Sequence, residues 1–87
     1  MRPLDQVIDA TLKLVPQDFP GRTELETELE SIKSSFLHAA PEMYQGWWFK
    51  FGVALHTAFG EPDTQWKEDV VALIQGKTDY LEVLDKN

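Results

Sequence analysis

The chain contains no cysteine among its 87 residues. Without thiols it can form no disulfide scaffold, no thiolate zinc site and no cysteine nucleophile, so side-chain packing has to hold the fold together. The sequence also has no uninterrupted apolar run near the ~18 residues of a membrane span, and no secretory-signal pattern follows Met1. We therefore expect a cytoplasmic protein with a single domain over residues 1–87.

Basic residues are scarce. The chain has 8 Lys and Arg against 15 Asp and Glu, a formal net charge of −7. Affinity for phosphate backbones comes from cationic side chains that release counterions, so direct binding to nucleic acid is disfavoured. Binding to an anionic membrane is disfavoured for the same reason. The complementary partner for this charge is a protein with a basic surface.

Signals for β-strands are also missing, since the chain shows neither alternating polarity nor an Asn-Gly hairpin. Apolar residues recur instead at steps of three and four, which predicts an all-α fold, a small antiparallel helical bundle. The predicted helices cover about 3–15, 23–39, 41–59 and 64–75, followed by a short C-terminal helix at about 79–85.

Several helix ends can be predicted from local signals. Thr23 and Glu26 match the capping box, which predicts that the second helix begins at Thr23. Pro41 disfavours helical geometry at the residue before it, so we expect a tight turn near residue 40, with one kinked helix as the alternative. Gly76 is typical of a left-handed helix terminator, and Asp79 (or Thr78 before it) can cap the last helix.

The third predicted helix is apolar on two sides. One face forms an aromatic stripe typical of a bundle core: Tyr44, Trp47, Trp48, Phe51, Leu55, Ala58 and Phe59. Phe49 and Val53 point to nearly the opposite side. We favour packing of these two residues against another helix of the chain, because Gly46 and Gly52 suggest a close helix approach. The alternative is a homodimer or partner interface.

The second predicted helix begins with four glutamates at alternate positions, Glu24, Glu26, Glu28 and Glu30. Like charges four residues apart repel by a few tenths of a kcal/mol, although a helix start favours negative charge. These glutamates either form a solvated helix start or meet a basic surface on another protein. After residue 60, seven acids face three bases, whereas residues 41–60 carry one of each. The pattern predicts an acidic rim around a neutral apolar centre.

Catalytic motifs are not apparent. Gly76-Lys77-Thr78 resembles the end of a phosphate-binding loop, but Val71 stands where that motif needs a glycine. Neither His38 nor His56 has a second histidine one turn away, as a zinc pair on a helix would. We therefore expect no enzyme activity, no cofactor and no metal.

These observations favour a small, acidic, non-catalytic module that binds another protein stoichiometrically, as an inhibitor of the antitoxin-like or immunity-like kind. Its partner would have a basic surface, as nucleic-acid-binding proteins do. The predicted binding residues are Glu24, Glu26, Glu28, Glu30, Phe49, Lys50 and Val53. The first alternative is a structural or oligomeric subunit that forms a homodimer through the third helix, and the second is a small enzyme.

Overall fold

A computed structural model describes residues 2–85. They form five α-helices and no strand: α1 (Leu4–Leu14), α2 (Arg22–Leu37), α3 (Tyr44–Phe59), α4 (Gln65–Ile74) and α5 (Tyr80–Asp85). The predicted all-α class and helix order are confirmed, and most boundaries agree within two residues. The third helix is the exception, since a 3-10 turn over Pro41–Met43 precedes α3. None of the described helices is both long and apolar enough to cross a bilayer.

Helix α1 lies at the centre of the bundle, in contact with α2, α4 and α5. Leu4, Val7 and Ile8 recur on one face and are fully buried. Thr11 is fully buried as well, but its hydroxyl donates a hydrogen bond to the Val7 carbonyl at 2.9 Å. Its polar group is therefore satisfied inside the core.

Helix α2 lies between α1 and α3 and contacts both. Four of its apolar residues recur at steps of four, three and four and are buried: Leu25, Leu29, Ile32 and Phe36. A stripe this narrow leaves both flanks of the helix polar. The polar residues that border the stripe therefore lie on one of two flanks of α2, either the flank toward α1 or the flank toward α3.

The predicted capping box at the start of α2 is wrong. The helix begins at Arg22, preceded by Gly21 at φ 85°, and no side chain caps its amides. The Arg22 guanidinium binds the Leu12 carbonyl at 2.9 Å, beside the end of α1, and forms an ion pair with Glu26. Arg22 is therefore part of the helix, and Thr23 lies one residue inside it. Glu26, the glutamate that the capping box requires, is paired with Arg22 instead.

The other predicted helix ends agree with the structure. Ala40 is extended, with φ −71° and ψ 150°, so the chain turns before Pro41 and does not continue as one kinked helix. Gly76 adopts φ 79° after α4, in the left-handed region that favours glycine. The Asp79 carboxylate accepts a hydrogen bond from the Leu81 amide at 2.9 Å and so caps α5.

Candidate functional site

The two sides of α3 differ sharply in burial. Phe51 and Leu55 are buried in the core, whereas Phe49 is 72% exposed and Val53 is 48% exposed. Packing of Phe49 and Val53 within the chain, the favoured sequence interpretation, is therefore wrong. Among residues 2–85, α2 is the helix with extensive contact along α3, and no second helix covers the outer face.

The surroundings of the two glycines of α3 also show that no other helix packs closely against them. A Cβ atom built at Gly46 or Gly52 would meet no atom within 4 Å apart from the adjoining residues and backbone of α3 itself. The close helix approach expected from these glycines is therefore absent from the described residues. Open space lies beside both positions.

An open groove of about 500 Å³ runs between α2 and the outer face of α3. From α2 it is lined by Thr27, Glu28, Ser31, Ile32 and Ser35, and from α3 by Trp47, Phe49, Lys50 and Val53. Four of the seven predicted binding residues therefore lie in one groove, although they come from two helices.

A second groove of about 290 Å³ continues the first and shares Glu28 with it. It is lined by Phe19, Pro20, Gly21, Glu24, Leu25, Ala54, Thr57 and Ala58. We call the two grooves together the α2–α3 trough. On the α2 side it extends from Gly21 to Ser35, about 20 Å at the helical rise per residue.

Two glutamates carry the negative charge of the trough. Glu24 and Glu28 are both exposed and stand four residues apart on α2. Neither carboxylate forms an ion pair with a side chain of residues 2–85. Both are therefore available to a cation from outside the chain.

The other two predicted glutamates face α1 and do not line the trough. Glu26 forms an ion pair with Arg22. Glu30 lies near Lys33, whose ammonium binds the Asp9 carboxylate of α1 at 2.8 Å. The hydrogen bond to Asp9, with the charges of Asp9 and Glu30, raises the pKa of Lys33 against the opposing effect of burial. Half of the predicted glutamate cluster therefore lies beside Arg22 and Lys33, the two basic residues of α2 that bind α1.

The opposite wall of the trough carries one positive charge. The Lys50 ammonium lies 4.8 Å from the centroid of the Trp47 ring, a cation–π distance. Trp47 is partly buried and packs against the core, as the sequence pattern predicted, and it also lines the trough. Its position one turn before Lys50 is the signal that could have identified it, because residues three apart are neighbours on a helix surface.

The acids after residue 60 do not line the trough. Asp63 forms an ion pair with Lys67 at 3.0 Å, Asp69 accepts a hydrogen bond from the Gln65 amide at 3.0 Å, and Asp79 caps α5. The hydrogen bond and the charge of Lys67 hold the pKa of the exposed Asp63 below its usual value. The prediction that the acids after residue 60 form a rim around this surface is therefore wrong. The acids that line the trough are Glu24 and Glu28 of α2.

In two other hollows of the described residues, the cationic side chain is held by groups of the chain itself. The apolar cleft of about 200 Å³ between α3 and α4 includes Lys67, which is held by Asp63 and the Phe59 carbonyl. In the open hollow beside Trp48, Arg2 donates to the Leu73 carbonyl at the end of α4. No three His, Asp or Glu side chains of residues 2–85 are grouped so that they could hold a metal ion.

Comparisons of the chain with protein-family models, with curated proteins and with solved structures find no match. The basis for a functional proposal is therefore the trough, its exposed apolar residues and its charges.

Proposed function

We propose that this protein is a cytoplasmic, non-catalytic module that binds a basic protein stoichiometrically through the α2–α3 trough, as an inhibitor of the antitoxin-like or immunity-like kind. The observation that carries the proposal is the 72% exposed ring of Phe49, which shares the trough with the unpaired carboxylate of Glu28. An exposed large apolar group beside charged groups is typical of an interaction surface.

Phe49 is the expected anchor of the contact. Burying a phenylalanine side chain is worth about 1.5–3 kcal/mol, and the free chain leaves most of that stabilisation unused. Val53 follows one turn later and extends the apolar surface along α3. A partner that covers both residues would gain most of its affinity at this centre, as aromatic anchors do in other interfaces.

Glu24 and Glu28 are expected to set the rate and orientation of binding. An ion pair between exposed groups contributes only about 0–1 kcal/mol, so two such pairs cannot supply the affinity alone. Carboxylates on one wall of the trough do steer a basic partner during encounter, and salt screens that attraction. Association should therefore slow as the salt concentration rises.

The proposal is tested by affinity capture from an extract of the producing cell, with the wild-type chain and three variants as bait. We expect the wild type and the control Glu68→Lys/Glu82→Lys to retain one basic protein in equimolar amount. Val53→Asp should lose it, and Glu24→Lys/Glu28→Lys should retain less. Equal capture by all four baits, or capture of an acidic protein, would contradict the proposal.

Self-association is a second candidate, favoured by the presence of both Glu28 and Lys50 in one trough. In a twofold dimer, Lys50 of one copy could face Glu28 of the other. Sedimentation over a concentration range separates the two candidates. A concentration-independent monomer excludes the dimer, whereas a dimer weakened by Phe49→Ser supports it.

A further inference from the structure

We infer that the occupant of the α2–α3 trough is a single amphipathic α-helix, about four turns long, carried by a basic protein. The inference rests on the proposed function and adds the shape and residue pattern of the partner.

The dimensions of the trough fit a helix. Its length of about 20 Å corresponds to roughly fourteen residues of helix. Two antiparallel helices leave a shallow seam between them, and a third helix fills such a seam in bundles. In α2 and α3 this seam is open, because no other helix of residues 2–85 packs into it.

A partner strand fits the trough less well than a helix. Strand addition requires a sheet edge with unpaired backbone amides and carbonyls. Apart from the turn residues Phe19, Pro20 and Gly21 at one end, the walls of the trough are helical, and most of their backbone groups are paired along each helix axis. A helical surface offers mainly side chains to a partner, which is the helix-in-groove mode of recognition.

The apolar side chains set the spacing that the partner needs. Phe49 and Val53 form one exposed ridge on α3, whereas Ile32 of α2 also lines the groove but is only 7% exposed. A helix that packs on both walls presents apolar residues at steps of three and four over about four turns.

The charges set which flank of the partner faces each wall. Glu24 and Glu28 lie one turn apart, so a partner helix can match them with Lys or Arg four residues apart. Lys50 on the opposite wall disfavours a cation on the other flank. The occupant is therefore basic over α2 and neutral or acidic over α3.

The probe for this inference is a display library of random 16-residue peptides, selected on the wild-type protein. Val53→Asp and Phe49→Ser serve as two independent counter-selections. Enriched peptides should carry apolar residues at helical spacing with Lys or Arg one turn apart. No enrichment over both counter-selections, or enrichment of acidic or proline-rich peptides, would overturn the inference.

The best enriched peptide is then measured against charge variants. Glu24→Gln/Glu28→Gln should weaken its binding about fivefold, the size expected for two exposed ion pairs. The control Glu68→Gln/Glu82→Gln makes the same change in net charge on α4 and α5 and should leave binding within about twofold. Equal weakening by both pairs would show that only net charge matters.

Spectroscopy locates the peptide and reports its shape. In a ¹⁵N-labelled protein the Trp47 indole signal should shift on binding, whereas that of Trp48, which packs against Arg2, should not. The peptide should gain helical circular dichroism. A shift at Trp48 alone, or no gain in helix, would contradict the inference. If the peptides fail while a basic protein is still captured through the trough, the helix inference falls and the proposed function stands.

Discussion

Phe49 and Phe51 are the same residue type, two positions apart in one helix, and they have opposite environments. Phe51 is 0% exposed, and its ring centroid lies 5.9 Å from that of Trp48. Phe49 is 72% exposed. Residues two apart on a helix are separated by about 200° around its axis, so their side chains point to nearly opposite sides of the helix. Burial here depends on whether a second element is present, and not on side-chain hydrophobicity.

Helices α1 and α3 also differ in how many other helices pack against them. Helix α1 has α2, α4 and α5 around it, whereas α3 has extensive backbone contact with α2 alone among the helices described, besides the ring contact of Phe59 with Trp66 of α4. A helix with neighbours on several sides buries its apolar residues within the chain. A helix with one such neighbour keeps an apolar outer face, and that face is the basis of the proposed binding surface.

Phe51→Ala should have the largest effect on stability. Removing a fully buried phenylalanine ring leaves a cavity and costs about 3–5 kcal/mol. Since small domains are stable by only about 5–15 kcal/mol, much of the free energy of unfolding should be lost. Urea unfolding measures the change, and a loss below about 1 kcal/mol would show that the ring is not in the core.

Arg22→Ala should have the next largest effect, because it breaks a contact between α2 and the end of α1. The arginine side chain is only 11% exposed and binds the Leu12 carbonyl. A hydrogen bond from a charged group is worth about 1.5–3 kcal/mol. Glu26→Gln is the matched control: it removes only the exposed partner and should cost less than about 1 kcal/mol. Equal losses in the two variants would contradict this assignment.

The Lys33–Asp9 ion pair predicts a small dependence of stability on alkaline pH. The pKa of Lys33 is raised above its ordinary value of 10.5. The stabilisation is therefore fully present below about pH 10.5 and is lost as the pH rises through the folded-state pKa. Because the pair is partly exposed, the loss should be about 1 kcal/mol at most.

Asp9→Asn is the variant that checks the pH dependence. It should be slightly less stable than the wild type near neutral pH, and the two free energies of unfolding should converge as the pH rises above the folded-state pKa of Lys33. A constant difference across that range would mean that the pair does not contribute through the lysine charge.

The helices could be predicted from the sequence because their signals are local. The buried residues of α2 follow their spacing, and Pro41 and Gly76 act within a few residues of the chain. The start of α2 could not be predicted in this way, because Arg22 is held by the Leu12 carbonyl of α1, ten residues earlier in the chain.

The candidate site was predictable only in part, because it depends on which helix lies beside which. Spacing separated Phe49 and Val53 from the core stripe, but it could not show that their side of α3 is left uncovered. It also could not show that Glu26 faces α1 while Glu28 faces the trough. Both facts follow from the position of α2 between α1 and α3.

The free energy of unfolding of Phe49→Ala tests most directly whether the outer face of α3 is left open by the chain. The ring is 72% exposed, and alanine has the higher helix propensity, so the change should lie within about 0.5 kcal/mol of zero. Urea unfolding beside Phe51→Ala gives the comparison under identical conditions. A loss of about 3 kcal/mol or more for Phe49→Ala would place the ring in a core and contradict the account.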